Sequence, residues 1–161
     1  EIKRPASIFP SLPSGMDNVL KQHFDSFIGR GLPPEVEALN SEVVLFDDME
    51  LLKIWRSNFK GIEWKDSEGN VLRGAVDNIL KKGDKLIVLD YKTRGFPLKE
   101  DTAAHYQNQL DIYNFLLRKN GYLTEEYGYL LFYHPKHVTP QGEVIFNTDL
   151  VKIKVNVEVE V

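Results

Sequence analysis

The chain reads as an α/β fold, a mixed β-sheet flanked by helices. Three observations carry that expectation. With 161 residues, 42% of them hydrophobic, the chain has material for one core of ordinary size, so residues 1–161 are expected to form a single domain. Helical apolar spacing marks the first third and the stretch after residue 100, while the segment between is rich in β-branched residues. No Gly-rich phosphate loop follows any of the apolar runs, which argues against a doubly wound nucleotide-binding sheet.

Pro5, Pro10, Pro13 and Gly15 predict an irregular N-terminal arm over residues 1–14. Val19, Leu20, Phe24, Phe27 and Ile28 then recur at helical spacing behind Ser14 or Asp17 as cap, and Gly29 to Pro34 end that helix. Glu35 to Glu50 carries six acids and no Lys or Arg around the short apolar run Val43 to Phe46. Asp47 is placed to cap a second helix, Met49 to Phe59. Ile62 to Lys65, Val71 to Leu80 and Lys85 to Tyr91 predict a three-stranded antiparallel meander, with turns at Asp66 to Asn70 and at Lys82-Gly83-Asp84. Ala103 to Lys119 is helical, with Ala103, Tyr106, Leu110, Tyr113 and Leu117 on one stripe and Asn120-Gly121 closing it. Gly128 to Tyr133 predicts a buried strand stopped by Pro135. Strict alternation from Val151 to Val161 predicts a half-buried one.

Charge and composition narrow the function. Twenty Lys and Arg against 24 Asp and Glu leave a net charge of −4, so no global basic field exists for coating a polyanion. Any contact with nucleic acid must be local. The absence of cysteine removes disulfides, thiol catalysis and Cys-ligated zinc or iron–sulfur clusters within these residues. The N-terminus lacks a signal-peptide pattern and no apolar run approaches membrane-spanning length, which predicts a soluble, cytoplasmic protein without membrane contact. The chain lacks an initiator Met and ends inside a strand pattern, as an excised piece of a longer protein would.

Chemistry concentrates in three short groups: Gly74-Ala-Val-Asp77, Asp90-Tyr-Lys92 and Gln109-Leu-Asp-Ile-Tyr113. Asp90 and Lys92 are two apart on a strand, so their side chains leave one face and Tyr91 the other. Taken alone, they describe a surface ion pair. Asp77, however, lies on the preceding strand, and counting outward from the turn at Gly83 brings it level with Asp90. Two carboxylates held together repel unless a cation separates them, and a divalent ion with oxygen ligands suits the pair. Lys92 then reads as a charge aimed at a phosphoryl group or an attacking water. Gln109 and Tyr113, one helical turn apart, share a ridge with Asp101 and His105.

In this order and at these spacings the three groups resemble the PD-(D/E)XK nuclease superfamily, in particular its RecB-like and Cas4-like branch, over about residues 60 to 134. The resemblance implies a restriction-endonuclease-like core and a divalent-metal-dependent deoxyribonuclease, endo or exo. It implies Mg²⁺ or Mn²⁺ held by Asp77, Asp90 and the carbonyl of Tyr91, with Lys92 as the catalytic lysine beside Asp77 and Asp90. Gln109, Tyr113 and Arg94 are then expected to bind substrate. The implied partners are DNA, single-stranded or with a free end, and a helicase or CRISPR-type protein, in repair, recombination or CRISPR-type processing. Many relatives place a further metal-binding His or Glu on an early helix; here His23, Glu35, Glu37, Glu42 and Asp47 are candidates, with His23 more easily read as structural beside Phe24 and Phe27. Many also carry a cysteine cluster, which this chain lacks.

Six basic side chains against Asp84 and Asp90 over residues 81–99 predict a basic rim beside the site. Two other readings accompany the nuclease: a catalytically inactive nuclease-like module for DNA binding or docking, and a metal-dependent phosphatase or nucleotidase.

Overall fold

The computed structural model describes residues 11–156 and Glu158. Five strands form the central sheet in the order β1 (Val44–Leu45), β4 (Asn78–Lys82), β5 (Lys85–Thr93), β6 (Tyr127–Val138) and β7 (Val144–Lys154). All neighbours are antiparallel except β5 and β6, which run parallel because the helix α3 (Gln107–Lys119) crosses between them. Strands β2 (Ile62–Lys65) and β3 (Val71–Gly74) form a separate hairpin. This is the mixed α/β, restriction-endonuclease-like architecture expected from the sequence. Among the described residues no helix is long and apolar enough to cross a membrane.

Alternation along β5 and β6 divides the core in two. Leu86 and Val88 of β5, with Leu130 and Phe132 of β6, face α2 (Met49–Trp55), α3 and the β2–β3 hairpin. Ile87, Leu89 and Tyr91, with Tyr129, Leu131 and Tyr133, face α1 (Leu12–Asp25) and the short helical turn Pro34–Leu39. The buried apolar face of each helix therefore docks on its own side of the sheet, and both layers reach the end of the sheet where β5 finishes.

Several boundaries differ from the sequence expectation. The helix α1 starts at Leu12 rather than after an arm reaching residue 14, since Pro13 sits in its first turn, where the missing N–H has no partner to lose. Neither Ser14 nor Asp17 caps it. Asp48, not Asp47, caps α2 by accepting from the Leu51 N–H at 3.0 Å, and the helix ends at Trp55. The expected strand Val71 to Leu80 breaks at residues 75–77, so the meander becomes two hairpins. The first turn of the expected helix 103–119 is a 3₁₀ turn. Strand β6 continues through Pro135 to Val138 with a register shift there; past Tyr133 it pairs only with β7, so a residue without an N–H is tolerated. Strand β7 begins seven residues earlier than the alternation suggested, and Val157 and residues 159–161 of the expected strand lie outside the described residues.

Candidate active site

Asp77 stands one residue before β4, and the register Asn78↔Leu89 places it on the next rung beside Asp90. Its Oδ2 accepts the Tyr91 backbone N–H at 2.8 Å. Its backbone is held as well: the Asp77 carbonyl accepts Arg56 Nε at 2.7 Å, and the Arg56 guanidinium is gripped by both carboxylate oxygens of Asp25 at 2.8 and 2.9 Å. The Val76 N–H donates to the Trp55 carbonyl at 3.0 Å, so the end of α2 sets the break in the chain that presents Asp77. Burial, then the neighbouring charge of Asp90, push the Asp77 carboxyl up to about 7.

Asp90 is 2% exposed. Lys92 Nζ lies 2.6 Å from its Oδ2 but off the direction of a hydrogen bond, so this buried oxygen has a charge beside it and no aligned donor. Lys92 donates instead to Gln109 Oε1 at 2.7 Å and sits over the Tyr106 ring, 4.5 Å from its centroid. Gln109 Nε2 in turn donates to the Tyr113 hydroxyl at 2.9 Å. Burial first, then the charge of Asp90, raise the Tyr113 phenol to about 12, so it remains protonated at neutral pH. The first half of the expected ridge differs: Asp101 and His105 precede α3 and form an exposed pair at 3.9 Å.

The motif glycine has a steric reason. A Cβ on Gly74 would lie 2.8 Å from Tyr113 Cε1 and 3.1 Å from Leu116 Cδ1, so Gly74 lets α3 approach close enough for Gln109 to meet Lys92. Asp77, Asp90, Tyr91, Lys92, Gln109 and Tyr113 line one cleft of about 290 Å³, together with Thr93 and, from α1, Asp17. A match to a family model covers residues 15–157, under the description PD-(D/E)XK nuclease superfamily. The chain belongs to this superfamily. Among curated proteins, none matches it.

Within this PD-(D/E)XK chain, the three motif groups thus meet at the end of the sheet. The five early-helix candidates do not: none lines the cleft, and His23 is instead bonded to Glu35 at 2.9 Å, with Phe24 and Phe27 edge-on to its ring. The acid that α1 delivers is Asp17, which sequence reasoning treated as a cap. Its carboxyl is raised, first by burial and further by the Asp77 charge. Lys21, one turn on, places Nζ 2.5 Å from Asp17 Oδ2 and 3.6 Å from Asp77 Oδ1. The only sequence signal for Asp17, Lys21 and Arg56 was their charge on amphipathic helices, which is also the signature of an ordinary solvated face.

Arg94 follows the site strand, but its guanidinium is bonded within its own loop, to the Phe96 carbonyl and to Thr102 Oγ1, both at 3.0 Å. The basic rim is a correction. Lys81, Lys82 and Lys85 belong to the β4–β5 turn at the opposite end of the hairpin, five residues or about 17 Å along β5 from Asp90. Only Lys92, Arg94 and Lys99 of the six lie at the site end of that segment.

Members of this superfamily are generally nucleases that use divalent metal ions. Among the described residues no group of three or more His, Cys, Asp or Glu side chains is placed to hold a metal. The Asp77–Asp90 pair nevertheless fits a hard cation: two close carboxylates, one of them raised to about 7 by burial and by the charge of the other, and one buried oxygen without an aligned donor.

Proposed function

We propose that the chain is a divalent-metal-dependent deoxyribonuclease that hydrolyses phosphodiester bonds. The observation that supports this most is the buried Asp77–Asp90 pair sharing one cleft with Lys92. Asp77, Asp90 and the Tyr91 carbonyl would hold Mg²⁺ or Mn²⁺, which when bound supplies an acidified water and Lewis-acid stabilisation of the phosphoryl oxygens. Lys92 carries a positive charge on a largely buried side chain into the cleft, where it stabilises the negative charge that develops on the phosphoryl group. Gln109 fixes the Lys92 ammonium and Tyr113 fixes Gln109, so the chain Lys92–Gln109–Tyr113 preorganises that charge. Arg94 stands at the strand exit as a substrate-binding group.

The motif series supports the RecB-like or Cas4-like branch, in which a free or unpaired strand is the expected substrate. DNA that is single-stranded or has a free end is therefore the proposed substrate. Repair, recombination or CRISPR-type processing beside a helicase or CRISPR-type partner is the proposed setting. The test is end-labelled single- and double-stranded DNA incubated with Mg²⁺ or Mn²⁺. Cleavage should require the ion and fall by roughly two to three orders of magnitude in Lys92→Ala, with metal-induced thermal stabilisation retained. A folded Lys92→Ala variant that cleaves at the wild-type rate overturns the assignment; mononucleotide hydrolysis without DNA cleavage would favour a phosphatase.

A further inference from the structure

The structure assigns Lys21 a role beyond that scheme: we propose that its ammonium stands where a second divalent ion would lie, so that the cleft admits one metal ion. The proposal rests on the metal-dependent reading above. Lys21 Nζ is 2.5 Å from Asp17 Oδ2 and 3.6 Å from Asp77 Oδ1, so it bridges the helix acid to the motif acid, both of which line the cleft. Its side chain is only 20% exposed, so the bridge is partly withdrawn from solvent and not a swinging surface pair. Asp77 presents its two oxygens differently: Oδ2 faces the backbone of β5, which carries Asp90, while Oδ1 faces Lys21. A metal on the Asp77–Asp90 side leaves the Asp17–Asp77 side already filled by a cation.

Charge supports the same stoichiometry. Asp17, Asp77 and Asp90 are opposed by Lys21 and Lys92. One divalent ion turns that small negative excess into a small positive one, and a second would leave the cluster strongly positive. Without Lys21 the three acids present a second oxygen-lined gap, between Asp17 and Asp77, of the kind Mn²⁺ takes. Lys21 is a positioning residue in this scheme, acting through the two carboxylates it separates.

The test is Mn²⁺ binding to the full chain, with stoichiometry from calorimetry and ion–ion coupling from electron paramagnetic resonance, neither of which requires turnover. Wild type should bind one ion with an isolated-ion spectrum. Lys21→Met should bind two, with an exchange-coupled spectrum, and Lys21→Arg, which restores the cation, should return to one. Two ions in wild type overturn the proposal even if the methionine variant does not fold. So does one ion of unchanged affinity in a folded Lys21→Met variant, while leaving the metal reading intact. A wild-type protein that takes up no Mn²⁺ removes the metal reading itself, and the Lys21 assignment with it.

Discussion

Asp77 bears most of the electrostatic strain in the cleft. Its carboxyl is raised from the ordinary 3.8 to about 7, first by burial and then by Asp90. Between those pH values the folded chain holds a proton that the unfolded chain has released. Stability from this group is therefore complete below about pH 4 and is lost as pH rises through about 7. In metal-free solution the melting temperature should fall between pH 5 and pH 8, corresponding to on the order of 2 kcal/mol from this carboxyl. Asp77→Asn, which cannot titrate, should flatten that profile, and saturating Mg²⁺ should restore the wild-type melting temperature at pH 8. A metal-free wild type that gains stability across this range, or an asparagine variant with the same slope, would show that another group governs it. At this scale Asp77, Asp90 and Lys92 were legible because strand alternation and a tight turn fix which side chains share a face. Asp17, Lys21 and Arg56 were not, because their partners lie across the fold and no local pattern reports a tertiary contact.

At the scale of elements, the close approach of α3 to β3 is the joint on which the substrate-side residues depend. Gly74→Ala forces Tyr113 and Leu116 away from the hairpin, since the new Cβ has no room. Overpacking of this kind costs about 1–3 kcal/mol. The expected outcome is a folded but less stable protein whose Mn²⁺ binding is retained while DNA cleavage falls at least tenfold, measured by calorimetry beside the end-labelled assay. Full cleavage by Gly74→Ala would separate the motif glycine from the placement of Gln109. Element types were readable from periodicity, but the break between β3 and β4 was not. Gly74, Ala75, Asp77 and Asn78 are poor strand formers, but the apolar residues on either side of them masked the gap, and the chain leaves the ladder there because Trp55 and Arg56 at the end of α2 take its backbone groups.

Across the whole molecule, the hairpin β4–β5 separates two kinds of charge, carboxylates and Lys92 at one end and Lys82 with Lys85 at the other. Replacing Lys82 and Lys85 together by alanine should leave DNA cleavage within about twofold and its salt dependence unchanged, because neither contacts phosphates bound at the site. A loss comparable to that of Lys92→Ala would return those lysines to the DNA path. Linear sequence suggested one basic rim because it counts residues, whereas a strand carries neighbours in sequence to opposite ends of the sheet. The same separation orders assembly during folding. Asp77 and Asp90 are joined by a loop of 13 residues, whereas Lys21 must return across 56 to reach Asp77. Closing the longer loop costs roughly 1 kcal/mol more in chain entropy. Asp90 brings Lys92 with it, two residues along the same strand, so the two carboxylates meet one cation at once and only the Lys21 bridge depends on the longer closure.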